Sequence, residues 1–233
     1  HHVAYAAARE PGDPVMVPSF RPDKALAAED PAAWNAYLAR LEASADQTIG
    51  SYAGLVAALD KRHAAFHALG CRASDHALIA PLATFATPEK LQSIFAKLRK
   101  NETPAQDEID AFRTELLLEI GRMNARRGWA MQLHMGCIRN LNTPMFRKLG
   151  PDTGFDAATD ERIARNLASF MDALQCEGLL PKTILYSLNP NDLEVLGTIM
   201  GAFQDGSVPG KIQCGSAWWF NDHIEGMRRQ MVS

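Results

Sequence analysis

The chain has 233 residues, 47% hydrophobic and 22% charged, with a net charge of -3. This is ordinary soluble-protein composition, with room for a sizeable core in one or two domains, and it argues against an electrostatic nucleic-acid binder. No apolar run reaches the roughly 18 residues that span a bilayer, so no membrane association is expected. The first residues, His1-His2-Val3-Ala4-Tyr5, lack the basic-then-apolar pattern of a secretion signal. Four cysteines (Cys71, Cys137, Cys176 and Cys214) are widely spaced, with no Cys-x-x-Cys pair. They read as reduced thiols of a cytoplasmic protein.

In chain order, His1 to Glu10 has the pattern of a helix end, stopped by Pro11-Gly12. Val15-Met-Val-Pro-Ser-Phe20 predicts a short strand, and Arg21-Pro22-Asp23-Lys24 the loop that leaves it. Asp30-Pro31 has the form of a helix cap with proline in the first turn, followed by Trp34, Leu38 and Leu41 on one face. Ser51 to Leu69 predicts a second helix, with Tyr52, Leu55, Val56, Leu59, His63 and Phe66 as its stripe and Gly70 as its stop. Cys71 to Leu78 is strand-like and carries the polar pair Asp75-His76. Thr87-Pro88 and Thr103-Pro104 each open a further helix, the second with Ile109, Phe112, Leu116 and Ile120 on one face. This stretch, residues 79–127, is too long for a simple crossover and reads as a helical insertion.

The chain is organised around Trp129-Ala-Met-Gln-Leu-His134-Met-Gly136-Cys-Ile-Arg139-Asn140. A short apolar run following Arg126-Arg127-Gly128 reads as a buried strand that presents His134 at its end and Arg139 in the next loop. Asp160 to Cys176 predicts a helix and Lys182 to Asn189 a strand. Leu193 to Phe203 predicts a short helix. Lys211 to Phe220 predicts a strand running into Asn221-Asp222, and a last helix begins near Glu225. Alternating strands and helices imply a parallel α/β sheet. Polar residues recur where the strands end: Arg21, Asp75-His76, His134 with Arg139, Asn189, and Trp219 with Asp222. In a barrel, chemistry sits at that end. No glycine-rich loop follows the first strand, which disfavours a doubly wound sheet. A (β/α) barrel is the expected fold, although five strands do not close a ring of eight.

Val17-Pro-Ser-Phe-Arg-Pro-Asp-Lys24, Ser74-Asp-His-Ala-Leu78, Ala125-Arg-Arg-Gly-Trp129, His134-Met-Gly with Arg139-Asn140, Leu149-Gly-Pro-Asp-Thr-Gly-Phe-Asp156, Pro181-Lys-Thr-Ile-Leu-Tyr186, Leu188-Asn-Pro190 and Trp218-Trp-Phe-Asn-Asp222 follow one another along nearly the whole chain. In that order they resemble the uronate isomerase (glucuronate isomerase) family of the amidohydrolase superfamily. The resemblance implies a metal-binding (β/α)8 barrel with helical insertions. Residues 1–233 would form part of that one domain, covering about strands three to seven. It implies interconversion of D-glucuronate with D-fructuronate, and of D-galacturonate with D-tagaturonate. It also implies a divalent metal, zinc, and a homo-oligomer whose partner is a small hexuronate. The family's His-x-His motif and last-strand Asp-Ser-Arg segment do not occur here, so the metal ligands are expected outside this chain.

Isomerising an open-chain sugar needs a proton moved between C1 and C2, stabilised enediolate oxygens, and a cation for the carboxylate. His134 is the catalytic candidate, or else a satisfied core histidine. Arg21 and Arg139 are the carboxylate anchors, or else surface arginines paired to neighbouring acids. Adjacent strand residues point to opposite faces, so only one of Asp75 and His76, and one of Trp218 and Trp219, can face the site. The expected substrate-binding set is Arg21, Arg139, Trp219, Asn189 and His76, with Asn189 before Pro190 equally a helix cap, and Asp75-His76 equally a pair in which one caps a helix and the other is buried and hydrogen-bonded. His63, His67 and His223 read as packing or solvent histidines. Two other readings stand beside the isomerase: a non-catalytic barrel that binds a sugar acid, and a metal-dependent hydrolase.

Overall fold

A computed structural model describes residues 2–232. His1, the first residue of the expected opening helix, and Ser233, where the last expected helix stops, lie outside the described residues. After α1 (His2–Ala8) the chain enters α2 (Pro31–Ala45) and α3 (Tyr52–Ala68), then β1 (Ala73–Leu78). Two more helices follow, α4 (Pro88–Arg99) and α5 (Gln106–Arg127), before β2 (Ala130–Met135). A small excursion comes next: β3 (Cys137–Ile138), α6 (Thr143–Leu149) and β4 (Ala157–Ala158). The chain closes with α7 (Ala164–Cys176), β5 (Lys182–Ser187), α8 (Leu193–Ala202), β6 (Ile212–Cys214) and α9 (Ile224–Val232).

The sheet is parallel, ordered β1-β2-β5-β6, and Phe20 adds a single parallel bridge to Ser74 beside β1. This order follows the chain and never reverses, whereas a doubly wound sheet reverses at its switch point. Register aligns Asp75, Gln132 and Ile184 in one row, and Ala77, His134 and Tyr186 in the next. Alternation splits the strands. Met131, Leu133, Met135, Thr183 and Leu185 are buried under the helices, while Asp75, Gln132, His134 and Tyr186 are half-buried on the other face.

Local chemistry explains the helix starts. Asp30, Ser51 and Thr87 each accept a backbone N–H of the first turn, a cap worth about 1 kcal/mol. Helices α2 to α5 pack around Trp34, whose ring meets the edges of Phe95 and Phe112 and whose Nε1 donates to the Ala25 carbonyl at 2.9 Å. Leu38, Leu55 and Leu59 fill the same core, and truncating one of them to alanine would cost about 2–5 kcal/mol.

Four expectations are corrected. The strand expected at Val15–Phe20 is reduced to the Phe20 bridge, and Val15, Met16 and Val17 are exposed. Pro14 and Pro18 bracket that run and carry no N–H for a ladder. The helix expected at Thr103-Pro104 begins two residues later, where the Glu108 carboxylate accepts the Ala105 N–H. The helix expected from Asp160 begins at Ala164. The strand expected over Lys211–Phe220 stops at Cys214, and Trp219–Asn221 forms a 3₁₀ turn. The excursion from β3 to β4 was not anticipated, because its helix buries no residue and carries only a weak apolar pattern.

Candidate active site

His134 is the last cleft-facing residue of β2, and Gly136 follows with φ +86. A left-handed backbone there is easy only for glycine, and it turns the chain off the sheet to bring Arg139 back over the strand ends. The His134 ring is held on three sides. Nδ1 lies 2.7 Å from Asp75 Oδ1. Tyr186, its direct cross-strand neighbour, stacks on one face at 4.2 Å and 13°. Trp218 meets it edge-on at 4.5 Å. None of the described residues bonds Nε2.

The Asp75 contact is close but off-line, leaving Oδ1 one of the buried polar atoms without a formed hydrogen bond among the described residues. The imidazole beside it, and then the Arg21 guanidinium, hold the Asp75 carboxyl below its ordinary value. Arg21 bridges two acids, with Nη1 at 3.2 Å from Asp75 and Nε at 3.1 Å from Asp23. Arg139 lies over the Trp219 ring at 4.5 Å. Its Nη1 is 3.1 Å from Asp152 and 3.4 Å from the buried carboxylate of Asp156, which also accepts the Asn140 N–H at 2.7 Å. Asn140 and Trp219 both have positive φ, 56° and 52°, strained values that cluster at functional sites. Together Arg21, Asp75, His134, Cys137, Arg139 and Trp218 line a cleft of about 370 Å³.

His134, Arg21 and Arg139 therefore converge as expected, and three other candidates do not. His76 is fully buried on the helix side of β1, with Nδ1 at 3.1 Å from Asp23 and Nε2 at 2.9 Å from Ser74 Oγ. That removes it from the cleft: Asp75, its neighbour with opposite pleat, takes the inward position. The carboxamide of Asn189 is used by the chain itself, donating to the Thr159 carbonyl and accepting the Asn191 N–H. Trp219 is the platform beneath Arg139, and its neighbour Trp218 lines the cleft. Tyr186 and Gln132 were missed, while Trp218 is the other member of the tryptophan pair left open by the sequence. Alternation from His134 through Gln132, and pairing of β2 with β5, were the signals that could have found the two.

One consistent set of donors and acceptors runs through the buried side. Asn124 donates to Ser74 Oγ at 2.7 Å, Ser74 donates to His76 Nε2, and His76 Nδ1 donates to Asp23. The Asn124 carbonyl then accepts from His63 Nε2 at 3.0 Å. Burial alone would raise the Asp23 carboxyl, but the His76 contact leaves it below its ordinary value. His63 is stacked on Trp129 at 3.6 Å, and burial pushes it down to about 4. Both His63 and His67 pack on Trp129, and the latter accepts the indole N–H at 2.8 Å. Among the described residues no three His, Cys, Asp or Glu side chains converge into a metal cluster, and no helix is long and apolar enough to cross a membrane.

Fold and site define a parallel α/β protein whose strand order does not reverse, with an acid-held histidine and two arginines at the carboxyl ends of its strands. The model of the glucuronate isomerase family matches residues 1–233. The chain belongs to that family. It is 45% identical over 99% of its length to the uronate isomerase of Cellvibrio japonicus, covering 49% of that protein. It is 47% identical over 93% of its length to that of Phocaeicola vulgatus, covering 46%. The crystal structure of the Thermotoga maritima uronate isomerase superposes with a TM-score of 0.88 at 31% identity, over 99% of this chain and 49% of that one. The chain thus spans about half the length of the relatives it matches.

Proposed function

We propose that this chain forms one wall of the active site of a uronate isomerase, interconverting D-glucuronate with D-fructuronate and D-galacturonate with D-tagaturonate. The observation that carries the reading is His134: one ring nitrogen lies against Asp75, and the other has no partner among the described residues in a cleft with two arginines. A cleft of about 370 Å³ is within the range of small-molecule sites.

In this reading Arg139 binds the substrate carboxylate. Its Nε and Nη2 have no hydrogen-bond partner among the described residues, and a planar guanidinium suits a carboxylate. Arg21 adds positive charge from the other side. Asp75 favours the proton on Nδ1, so Nε2 can accept the C2 proton of the open-chain aldose. The C–H electron pair becomes the C1–C2 double bond of an enediolate, and the C1 carbonyl oxygen takes the charge. Return of a proton to C1, with loss of the C2 hydroxyl proton and protonation of the C1 oxygen, leaves a ketone at C2 and an alcohol at C1. Nothing is oxidised or reduced overall.

The finer fold belongs to the same proposal: an arc of a (β/α)8 barrel of the amidohydrolase superfamily, with residues 79–127 as its helical insertion. The unreversed strand order supports the arc. A divalent metal, zinc in this reading, would stabilise the enediolate oxygens. The described residues do not by themselves assemble its donors, and the proton movements assigned to His134 are independent of it. The unpaired thiols of all four cysteines support a cytoplasmic location, and a homo-oligomer completes the reading.

The test is conversion of D-glucuronate and D-galacturonate to their ketoses by the protein with zinc supplied, beside calorimetry with each sugar acid. Turnover is expected. Binding without turnover would instead select the non-catalytic sugar-acid-binding barrel, and cleavage of a lactone or amide would select the hydrolase.

A further inference from the structure

Asp75 touches the His134 ring at one atom, and a contact at one atom leaves the ring plane free to turn. The plane is set by what lies against the face. Tyr186 occupies that face at 4.2 Å and 13°, from the residue directly opposite on β5. Its hydroxyl donates to Gln132 Oε1 at 3.1 Å. Gln132 lies two residues before His134 and on the same face of β2, so the phenol is tethered to the strand that carries the histidine. On its other side the tyrosine ring rests on the backbone just past β6. A Cβ at Gly215 would sit 2.1 Å from Tyr186 Cε1 and 2.2 Å from Cδ1. Gly215 has no positive φ, so the glycine is required there by space and not by conformation. Its N–H bonds the Leu185 carbonyl at 2.8 Å, and its carbonyl accepts from Gln230. The backbone under the ring is therefore itself held.

We propose that Tyr186, seated on Gly215, is the positioning residue that fixes the plane of the His134 imidazole and hence the direction of Nε2 in the cleft. The rings and the bare backbone form one stack across β2, β5 and the end of β6. The Tyr186 side chain cannot withdraw, because Gly215 is behind it; this seat of the ring, to which the Gln132 hydrogen bond is only an addition, is what fixes the imidazole plane. Any side chain at position 215 pushes the phenol into the imidazole. The consequence for catalysis rests on the isomerase reading; the geometric claim does not.

The experiment uses the protein that carries these residues, with zinc supplied, unmodified and as Tyr186→Leu, Tyr186→Phe and Gly215→Ala, each checked for folding by circular dichroism. At one fixed pH, ¹⁵N and ¹H resonances of the His134 ring report its tautomer and the ring-current shift imposed by face stacking. Tyr186→Leu and Gly215→Ala are expected to lose that shift, and kcat to fall by about tenfold to a hundredfold, the scale of a misplacement near 1 Å. KM should stay within about twofold, since carboxylate binding is untouched. Tyr186→Phe, which keeps the ring, should retain both the shift and kcat. A folded Tyr186→Leu protein with unchanged His134 resonances would overturn the proposal. So would a Tyr186→Phe protein that behaves like Tyr186→Leu, since the hydroxyl tether would then be the operative part. If the unmodified protein shows no isomerisation, the functional reading falls while the resonances still decide the positioning role.

Discussion

His76 with Asp23 and His134 with Asp75 use the same two side-chain types on neighbouring strands, at 3.1 and 2.7 Å. Their surroundings separate them. His76 is on the helix side, fully buried, with both ring nitrogens engaged. Its network runs through Ser74 and Asn124 to His63 and ties the loop at Asp23 to β1, α5 and α3. Such a network stabilises only while every member is satisfied. His134 is on the cleft side, with one nitrogen beside a carboxylate and an aromatic wall on its face and edge. A histidine with a free nitrogen in a cleft can move a proton, and one bonded at both nitrogens can only hold structure. The pleat of one strand makes the difference, because it sends Asp75 to one side of the sheet and His76 to the other.

The largest expected effect is on the cleft side. His134→Gln should lower kcat by about 10²–10⁴-fold, the usual contribution of a positioned acid–base group. Sugar-acid affinity and unfolding midpoint should stay close to the unmodified protein. Kinetics, calorimetry and a urea titration together check this, and an active His134→Gln protein would erase the distinction between the two pairs. On the helix side, His76→Leu should leave the cleft intact but cost about 1–3 kcal/mol of stability, because it leaves the buried Ser74 hydroxyl without its acceptor and takes one partner from the Asp23 carboxylate. Denaturant unfolding reads that number directly.

The pH response sharpens the same contrast. His63 is held at about 4 in the fold against 6.5 for a free imidazole. Its Nδ1 has no hydrogen-bond partner among the described residues, so a proton added there would be buried and unpaired. Between those values the unfolded chain binds a proton that the fold refuses. Stability should therefore fall as pH drops from 6.5 to 4, by at most about 3 kcal/mol. His63→Phe should flatten that slope in thermal melts across the window. Asp23 and Asp75 have lowered pKa values, so their contribution is lost only in stronger acid, below 3.8. The smallest effect belongs to the anchor. Arg139→Lys keeps the charge but loses the planar fork, and should weaken hexuronate binding by about 1 kcal/mol, roughly fivefold. A neutral hexose should bind as before.

Much of this was legible in the chain. Capping residues marked the starts of α2, α3 and α4, and an apolar run marked β2. His134, Arg21 and Arg139 stood where strands end. The misreadings share a cause, which is that a local pattern does not say what a side chain meets. Val15–Val17 has strand-like composition but two prolines around it and no sheet to join. Asn189 has the look of a substrate ligand, yet its carboxamide is spent on Thr159 and Asn191. Tyr186 has no role of its own within the strand expected at Lys182–Asn189 until the register of β5 puts it on the His134 ring.

The sequence by itself determined the class of fold, the family and the residue types available for chemistry, because periodicity, caps and ordered motifs are local properties of the chain. Only the tertiary structure decided which member of Asp75-His76 and of Trp218-Trp219 enters the cleft. It alone seated Tyr186 between His134 and Gly215. Pleat direction, strand register and the space at one glycine are relations between segments far apart in the chain, and they exist only once those segments are packed.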